Sequence, residues 1–171
     1  MNNEETHIAV QNDILLSRES ELKAAEIFTA SGYLVYVQFI KPQAKTLEDI
    51  ESNSDFGDII IFKPGGSNAV VEVKRLSSAN AFAYFCEAKD FRNGIIVDRK
   101  QTYDKKFIKP VLYLTFNHPM SYFFLIECKN KEDWTVRKEY CVTTKKMEDY
   151  YVSKAIDCQF YETEDKLKTS P

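Results

Sequence analysis

Asp58, Glu72 and Lys74 are charged residues set in two apolar runs, Phe56–Phe62 and Ala69–Val73, that are rich in β-branched and aromatic side chains. Between the runs, Pro64-Gly65-Gly66-Ser67-Asn68 has turn composition, so the stretch predicts a β-hairpin. Charged side chains seldom enter a buried strand without a partner or a task. A turn over residues 64–68 puts Lys63 opposite Ala69, Asp58 opposite Lys74 and Ile60 opposite Glu72. Side chains alternate along a strand, so Asp58, Ile60 and Phe62 then share a face with Val70, Glu72 and Lys74. A turn one residue longer or shorter would send the two sets to opposite faces. Two carboxylates and a lysine gathered in this way can hold a hard divalent cation on oxygen ligands and place an ammonium beside its bound water. That is an arrangement for cleaving a phosphodiester.

The hairpin needs elements around it. From Ser17 to Ser31, Leu22, Ala25, Phe28 and Thr29 recur at helical spacing, with Ser17 as N-cap and Gly32 as stop. Glu21 falls on the edge of that apolar stripe and can point toward the hairpin. Residues 1–12 are polar and read as a lead-in. Tyr33–Ile40 is a strand by composition, and residues 41–54, with Pro42, form a loop or short helical turn. After the hairpin, Phe82, Tyr84, Phe85 and Phe91 give no clear period. This stretch carries a second Glu-x-Lys, Glu87-Ala88-Lys89, which competes with Glu72-x-Lys74 but lacks its Val-rich strand context. Gly94–Asp98 reads as a short buried strand, the polar run from Arg99 as a helix and Pro110–Phe116 as a strand, an alternation that suggests βαβ packing. Ser121–Cys128, Trp134–Thr143 and Tyr150–Tyr161 read as further strands. Trp134, Tyr150 and Tyr151 could stack on bases, although an aromatic residue in a strand is more often core. Residues 1–161 are expected to form one domain and 162–171 a disordered tail.

The pattern resembles the PD-(D/E)xK nuclease superfamily, whose core is an Asp on one strand followed by Glu-x-Lys on the next, here Asp58 and Glu72-Val73-Lys74. Glu21-Leu-Lys-Ala-Ala-Glu-Ile-Phe-Thr-Ala-Ser-Gly-Tyr33 is similar to the superfamily's first helix, which often carries a Glu and ends in a Gly-Tyr-like turn. Ile95-Ile-Val-Asp98, Tyr103-Asp-Lys and Lys109-Pro110 extend the likeness to about Phe116. The resemblance implies an α/β (α+β) fold of the restriction-endonuclease-like or Holliday-junction-resolvase-like kind. Its αβββαβ core would hold a mixed central sheet flanked by helices, with the C-terminal strands as additions. It implies Asp58, Glu72 and the backbone carbonyl of Val73 as ligands of Mg²⁺, with Mn²⁺ as a substitute. Lys74 would position the attacking water or stabilise developing charge, and Glu21 would assist. Arg75, Lys100, Gln101, Tyr103 and Lys105 become candidates for contact with nucleic acid, DNA rather than RNA. Small nucleases of this type often act as dimers or within larger complexes.

Composition limits the alternatives. At 171 residues with 44% hydrophobic side chains, the chain is long enough for one domain with a real core. It has no long uncharged apolar run and no basic start followed by an apolar segment, so a soluble, cytoplasmic protein without a membrane span is expected. Cys86, Cys128, Cys141 and Cys158 lie far apart and His7 and His118 are isolated, which argues against zinc and for reduced cysteines. The net charge of −3 argues against broad electrostatic binding of nucleic acid and leaves local patches to decide. It suits a second expectation, a nuclease-like domain that no longer cuts and serves as a nucleic-acid- or protein-binding module. Nucleotide binding through Pro64-Gly-Gly-Ser is disfavoured, because no Gly-Lys-Ser/Thr ending follows and no helix opens there.

Overall fold

A long helix opens the chain. The structure, a computed structural model, describes residues 3–38, 57–63, 65–76, 94–141, 145–164 and 167, with side chains from residue 15 onward. Helix α1 spans Asn3–Ala30. The segment 1–12, expected as a lead-in, is therefore helical from Asn3, since no Gly or Pro interrupts the run. Ser17 is an interior residue and not an N-cap; its hydroxyl donates to Glu21 Oε1 at 2.9 Å. The buried face is Ser20, Glu21, Ala24, Ile27 and Phe28, rotated from the expected stripe, so that Leu22 and Thr29 face solvent. Glu21 thus lies within the packed face, not on its edge. Gly32, at φ +89°, ends the helix as expected, and the Tyr33 N–H closes on the Phe28 carbonyl at 3.0 Å.

Strands β1 (Leu34–Val37), β2 (Ile59–Phe62) and β3 (Asn68–Arg75) form an antiparallel meander. Strand β4 (Ile95–Arg99) leads into α2 (Lys100–Lys105), followed by β5 (Leu112–Phe116) and β6 (Tyr122–Glu127). Then come β7 (Thr135–Cys141), β8 (Lys146–Ser153) and β9 (Gln159–Glu162). The larger sheet has six strands in the order β1-β2-β3-β5-β6-β9, with β3 and β5 parallel and the other neighbours antiparallel. The molecule is therefore α+β with a mixed sheet. A second, three-stranded sheet has the order β4-β8-β7. This corrects the βαβ expectation: β4 and β5 lie in different sheets because β4 pairs with β8. The run Tyr150–Tyr161 is also not one strand, since a 3₁₀ turn at Ala155–Asp157 separates β8 from β9. No described helix is long and apolar enough to cross a membrane. Residues 41–54 and 77–93, with Cys86 and Glu87-Ala88-Lys89, lie outside the described residues.

The six-stranded sheet is apolar on both faces. On one, Val71, Val73, Leu114, Phe116, Phe123 and Leu125 pack with Ile59 and Ile61 against Ala24, Ile27 and Phe28 of α1. Leu167 joins this core and its N–H donates to Ser31 Oγ at 3.0 Å, so the segment expected as a disordered tail is anchored at that residue. On the other, Tyr113, Phe124 and Ile126 pack against Ile95, Val97, Tyr103, Trp134 and Tyr151. Trp134 and Tyr151 are thus core residues, as an aromatic on a strand most often is.

The hairpin has the predicted parity in a shifted register. Phe62 pairs with Asn68, Ile60 with Val70 and Ile59 with Val71. The Lys63 N–H donates to the Ser67 carbonyl at 2.9 Å, which closes the turn one residue earlier than expected. Continued one step, this register sets Asp58 across from Glu72, not Lys74. Gly57, at φ +74°, swings the chain into that position, and a Cβ there would lie 2.3 Å from Val70 Cγ1. Gly57→Ala is therefore expected to destabilise by about 1–2 kcal/mol from the left-handed backbone alone, plus the contact with Val70. A thermal melt should show a Tm lower by several degrees, and an unchanged Tm would refute the close approach.

Candidate active site

Four elements assemble the site: the β2–β3 hairpin, β4, the residue after α2, and β5. Glu72 points into the space between the two sheets and is buried. Lys74 Nζ donates to Glu72 Oε1 at 2.8 Å, and Lys106 Nζ donates to both Glu72 oxygens at 3.0 Å. Lys74 Nζ also lies 3.7 Å from Asp98 Oδ1. Asp98 Oδ1 accepts from its neighbour Arg99 N at 2.8 Å, and Oδ2 accepts from the Tyr113 hydroxyl at 2.8 Å. The result is an alternating row of charge, Lys106, Glu72, Lys74 and Asp98, between two apolar layers.

Asp58 stands at the open end of the hairpin, where its Oδ2 accepts from Val73 N at 2.7 Å. Burial, the charge of Glu72 and, more weakly, that of Glu21 push its carboxyl up to about 8, against the opposing pull of Lys74 and the Val73 N–H. Glu72 goes the other way. Burial disfavours its charge, but the ammoniums of Lys74 and Lys106 outweigh that and hold it below the usual carboxylate range. Burial likewise opposes the charge of Lys74, and Asp98, Glu72 and Asp58 overcome it, so Lys74 stays protonated across the neutral range. Glu21 is raised by burial against its Ser17 hydrogen bond and Arg18, and it senses the charges of Glu72 and Lys74. Asp58, Glu72, Lys74 and Glu21 therefore form one electrostatic group, although Glu21 enters from the α1 side.

The residues expected to contact nucleic acid are placed less uniformly. Tyr103 is corrected outright: its ring is 4% exposed and meets Tyr113, Trp134 and Tyr151 edge-on or tilted, because α2 turns this side chain into the core. Arg75 is engaged by Glu19, 2.7 Å from Nη1, and by the His118 carbonyl, 2.7 Å from Nε. Lys100 is paired with Asp104 at 2.6 Å. Lys100, Gln101 and Lys105 line a cleft of about 410 Å³ with Arg99, but Asp104, Glu148 and Asp149 line it too. Its charge is mixed, not basic.

The sequence reading missed Asp98, Lys106 and Tyr113 as site residues. Asp98 carries the same signal as Asp58, an acid closing an apolar strand, Ile95-Ile-Val-Asp98. Lys106 carries none, since nothing in a polar run tells which of Lys105 and Lys106 turns inward.

The donors suit a hard cation in kind: Asp58, Glu72 and the Val73 carbonyl are all oxygen ligands. Their arrangement does not fit one. Among the described residues no group of three or more His, Cys, Asp and Glu side chains is placed to hold a metal, and Lys106 occupies both oxygens of Glu72. No protein-family model, curated protein or solved structure matches this chain.

Proposed function

We propose that this chain is a nuclease-like domain that hydrolyses phosphodiester bonds of nucleic acid, DNA in preference to RNA, at the Asp58, Glu72 and Lys74 corner. The observation that carries the reading is the convergence of these three side chains, from a hairpin whose register gives them one face. The element order is compatible with it: a helix and an antiparallel meander are followed, after β4 and α2, by a strand parallel to the Glu-x-Lys strand, with β4 as an insertion that pairs in the second sheet. Lys74 is held by Glu72 and Asp98 with part of its side chain open to solvent. A charge fixed in this way can stabilise the negative charge that develops on a phosphoryl oxygen. Mg²⁺, or Mn²⁺ in its place, is the cofactor the reading would call for; Asp58, Glu72 and the Val73 carbonyl are the oxygen donors that would hold it, against the Lys106 ammonium that engages both Glu72 oxygens. A homodimer or larger complex is part of the same proposal.

The test is cleavage of labelled DNA and RNA substrates with Mg²⁺, Mn²⁺ or chelator, by wild type and Lys74→Ala. The variant should fold, because Glu72 keeps Lys106 and Asp98 keeps Tyr113. Metal-dependent cutting reduced by about 10²-fold or more in the variant is the expected result. One observation favours a second reading, a silent binding module: the carboxylate that should serve a metal is already held by two ammoniums. Nucleic-acid binding without cutting would select that reading.

A further inference from the structure

We propose that the outer edge of β7 is a homodimer interface, where two copies of this chain pair antiparallel about a two-fold axis through Lys138 and join their three-stranded sheets into one. The proposal deepens the homodimer of the nuclease reading by naming its surface, but it stands on β7 alone. Strand β7 ends the order β4-β8-β7, and among the described residues it pairs only with β8. Its other edge therefore presents a row of backbone donors and acceptors, which is a template for another strand. With 7 residues, β7 is the longest of the described edge strands, since β1 and β9 have 4 each and β4 has 5.

The occupant follows from the sequence of β7, Thr135-Val-Arg-Lys-Glu-Tyr-Cys141, which complements its own reverse. An axis through Lys138 sets Arg137 of one copy opposite Glu139 of the other, and Val136 opposite Tyr140. Opposite charges and aromatic–β-branched contacts are both stabilising when directly across two strands. Side chains alternate along the strand, so the charged pairs and the apolar pairs lie on different faces. On the apolar face, Val136, Tyr140 and Met147 are 50%, 58% and 60% exposed. Met147 lies opposite Tyr140 on β8, and Tyr151 opposite Val136. Pairing thus makes an unbroken apolar row of Met147 and Tyr140 with Val136 and Tyr151 of the second copy. On the charged face, Glu139 lies opposite Glu148 of its own chain, and like charges directly opposite are unfavourable. Arg137 engages Glu139 along the strand, and both side chains are about one-third exposed. Arg137 of a second copy would add a cation on the open side of Glu139. The single like-charged meeting is Lys138 with itself on the axis, and Asp149 lies across β8 from each Lys138 to offset it.

The test is sedimentation equilibrium of the full chain as wild type, Arg137→Glu and Glu139→Arg, with folding checked by circular dichroism. Wild type should dimerise. Each variant alone sets like charges opposite each other twice, so its dimer should weaken by about tenfold or more. An equal mixture of the two variants should recover the lost affinity, because every altered charge then faces its opposite on the other chain. Both variants lose the Arg137–Glu139 pair within the strand, and mixing does not restore it, so recovery reports a contact between chains. A measurement that needs no variant is lysine cross-linking of wild type mixed from isotope-labelled and unlabelled chains, which should join Lys138 of one chain to Lys138 of the other. If the variants do not fold, this link decides. A monomeric wild type, folded variants that dimerise as wild type does, no recovery on mixing, or no link between the two Lys138 residues overturns the proposal. Cleavage reports separately: a monomer that cuts sinks only the interface, while a dimer through β7 that does not cut sinks only the nuclease reading.

Discussion

Glu72→Ala is expected to destabilise the fold by about 3–5 kcal/mol, the range for removing one partner of a buried ion pair. For a chain of this size that corresponds to a Tm lower by roughly 10 °C. Glu72 accepts from Lys74 and Lys106 at once, and the Lys106 side chain lies almost wholly inside the protein. Truncation leaves those ammoniums in a space closed by apolar layers, where an uncompensated charge is far more costly than at the surface. Glu19→Ala is the internal control. It breaks the Arg75 pair at 2.7 Å, but Glu19 is 58% exposed, and such pairs are worth about 0–1 kcal/mol. Urea titrations of both variants make the comparison. If Glu72→Ala is as mild as Glu19→Ala, the buried charge row does not exist as described. The carboxyl of Glu72 is held below its usual range, so its contribution is complete above about pH 4.5 and is lost as the pH falls through the lowered value.

Asp58→Asn should act in the opposite direction. The carboxyl of Asp58 is pushed from 3.8 up to about 8 in the folded protein, so the native state binds its proton more tightly than the unfolded chain does. Such a group stabilises fully below the unfolded value, and that stability drains away as the pH rises through about 4 to 8. The driving force is burial together with the charge of Glu72, set across the hairpin from it. Asparagine has no proton to lose, and its amide oxygen can still accept from Val73 N. At about pH 8 the variant is therefore expected to be more stable than wild type by roughly 2 kcal/mol or more, since each tenfold difference in proton affinity between the folded and unfolded chain is worth about 1.4 kcal/mol. Near pH 4 the two should converge. Thermal melts across that range measure the difference, and a gap that stays flat with pH would remove the like-charge account of this corner. On the proposed nuclease reading, the same substitution should abolish any metal-dependent cleavage.

How much of this was legible in the sequence depends on the range of the interaction. The hairpin was legible because its signals are local: two β-branched runs with turn residues between them. The expected pairing was displaced, yet Asp58, Glu72 and Lys74 kept one face. A turn that slides along both strands without changing length moves the partners by an even step, and side-chain direction alternates with period two. The stop of α1 at Gly32 was legible for the same local reason, a residue that accepts positive φ at no steric penalty. The start of α1 was not, because a capping residue can also sit inside a helix when nothing breaks the chain before it. Ser17 does so, and its hydroxyl turns to Glu21.

What the tertiary structure decided is everything that depends on which elements meet. A polar helix next to a basic run can show either face to the core. Packing of the second sheet chose to bury Tyr103 and Lys106 and to leave Lys105 outside. Pairing of β4 with β8 instead of β5 carried Asp98 across to Lys74, a meeting with no trace in sequence spacing. The residue types of the site are written in the chain, since each acid in an apolar strand announces itself by its desolvation penalty. Their partners are not, because two lysines side by side are equivalent until a fold gives one of them a buried carboxylate.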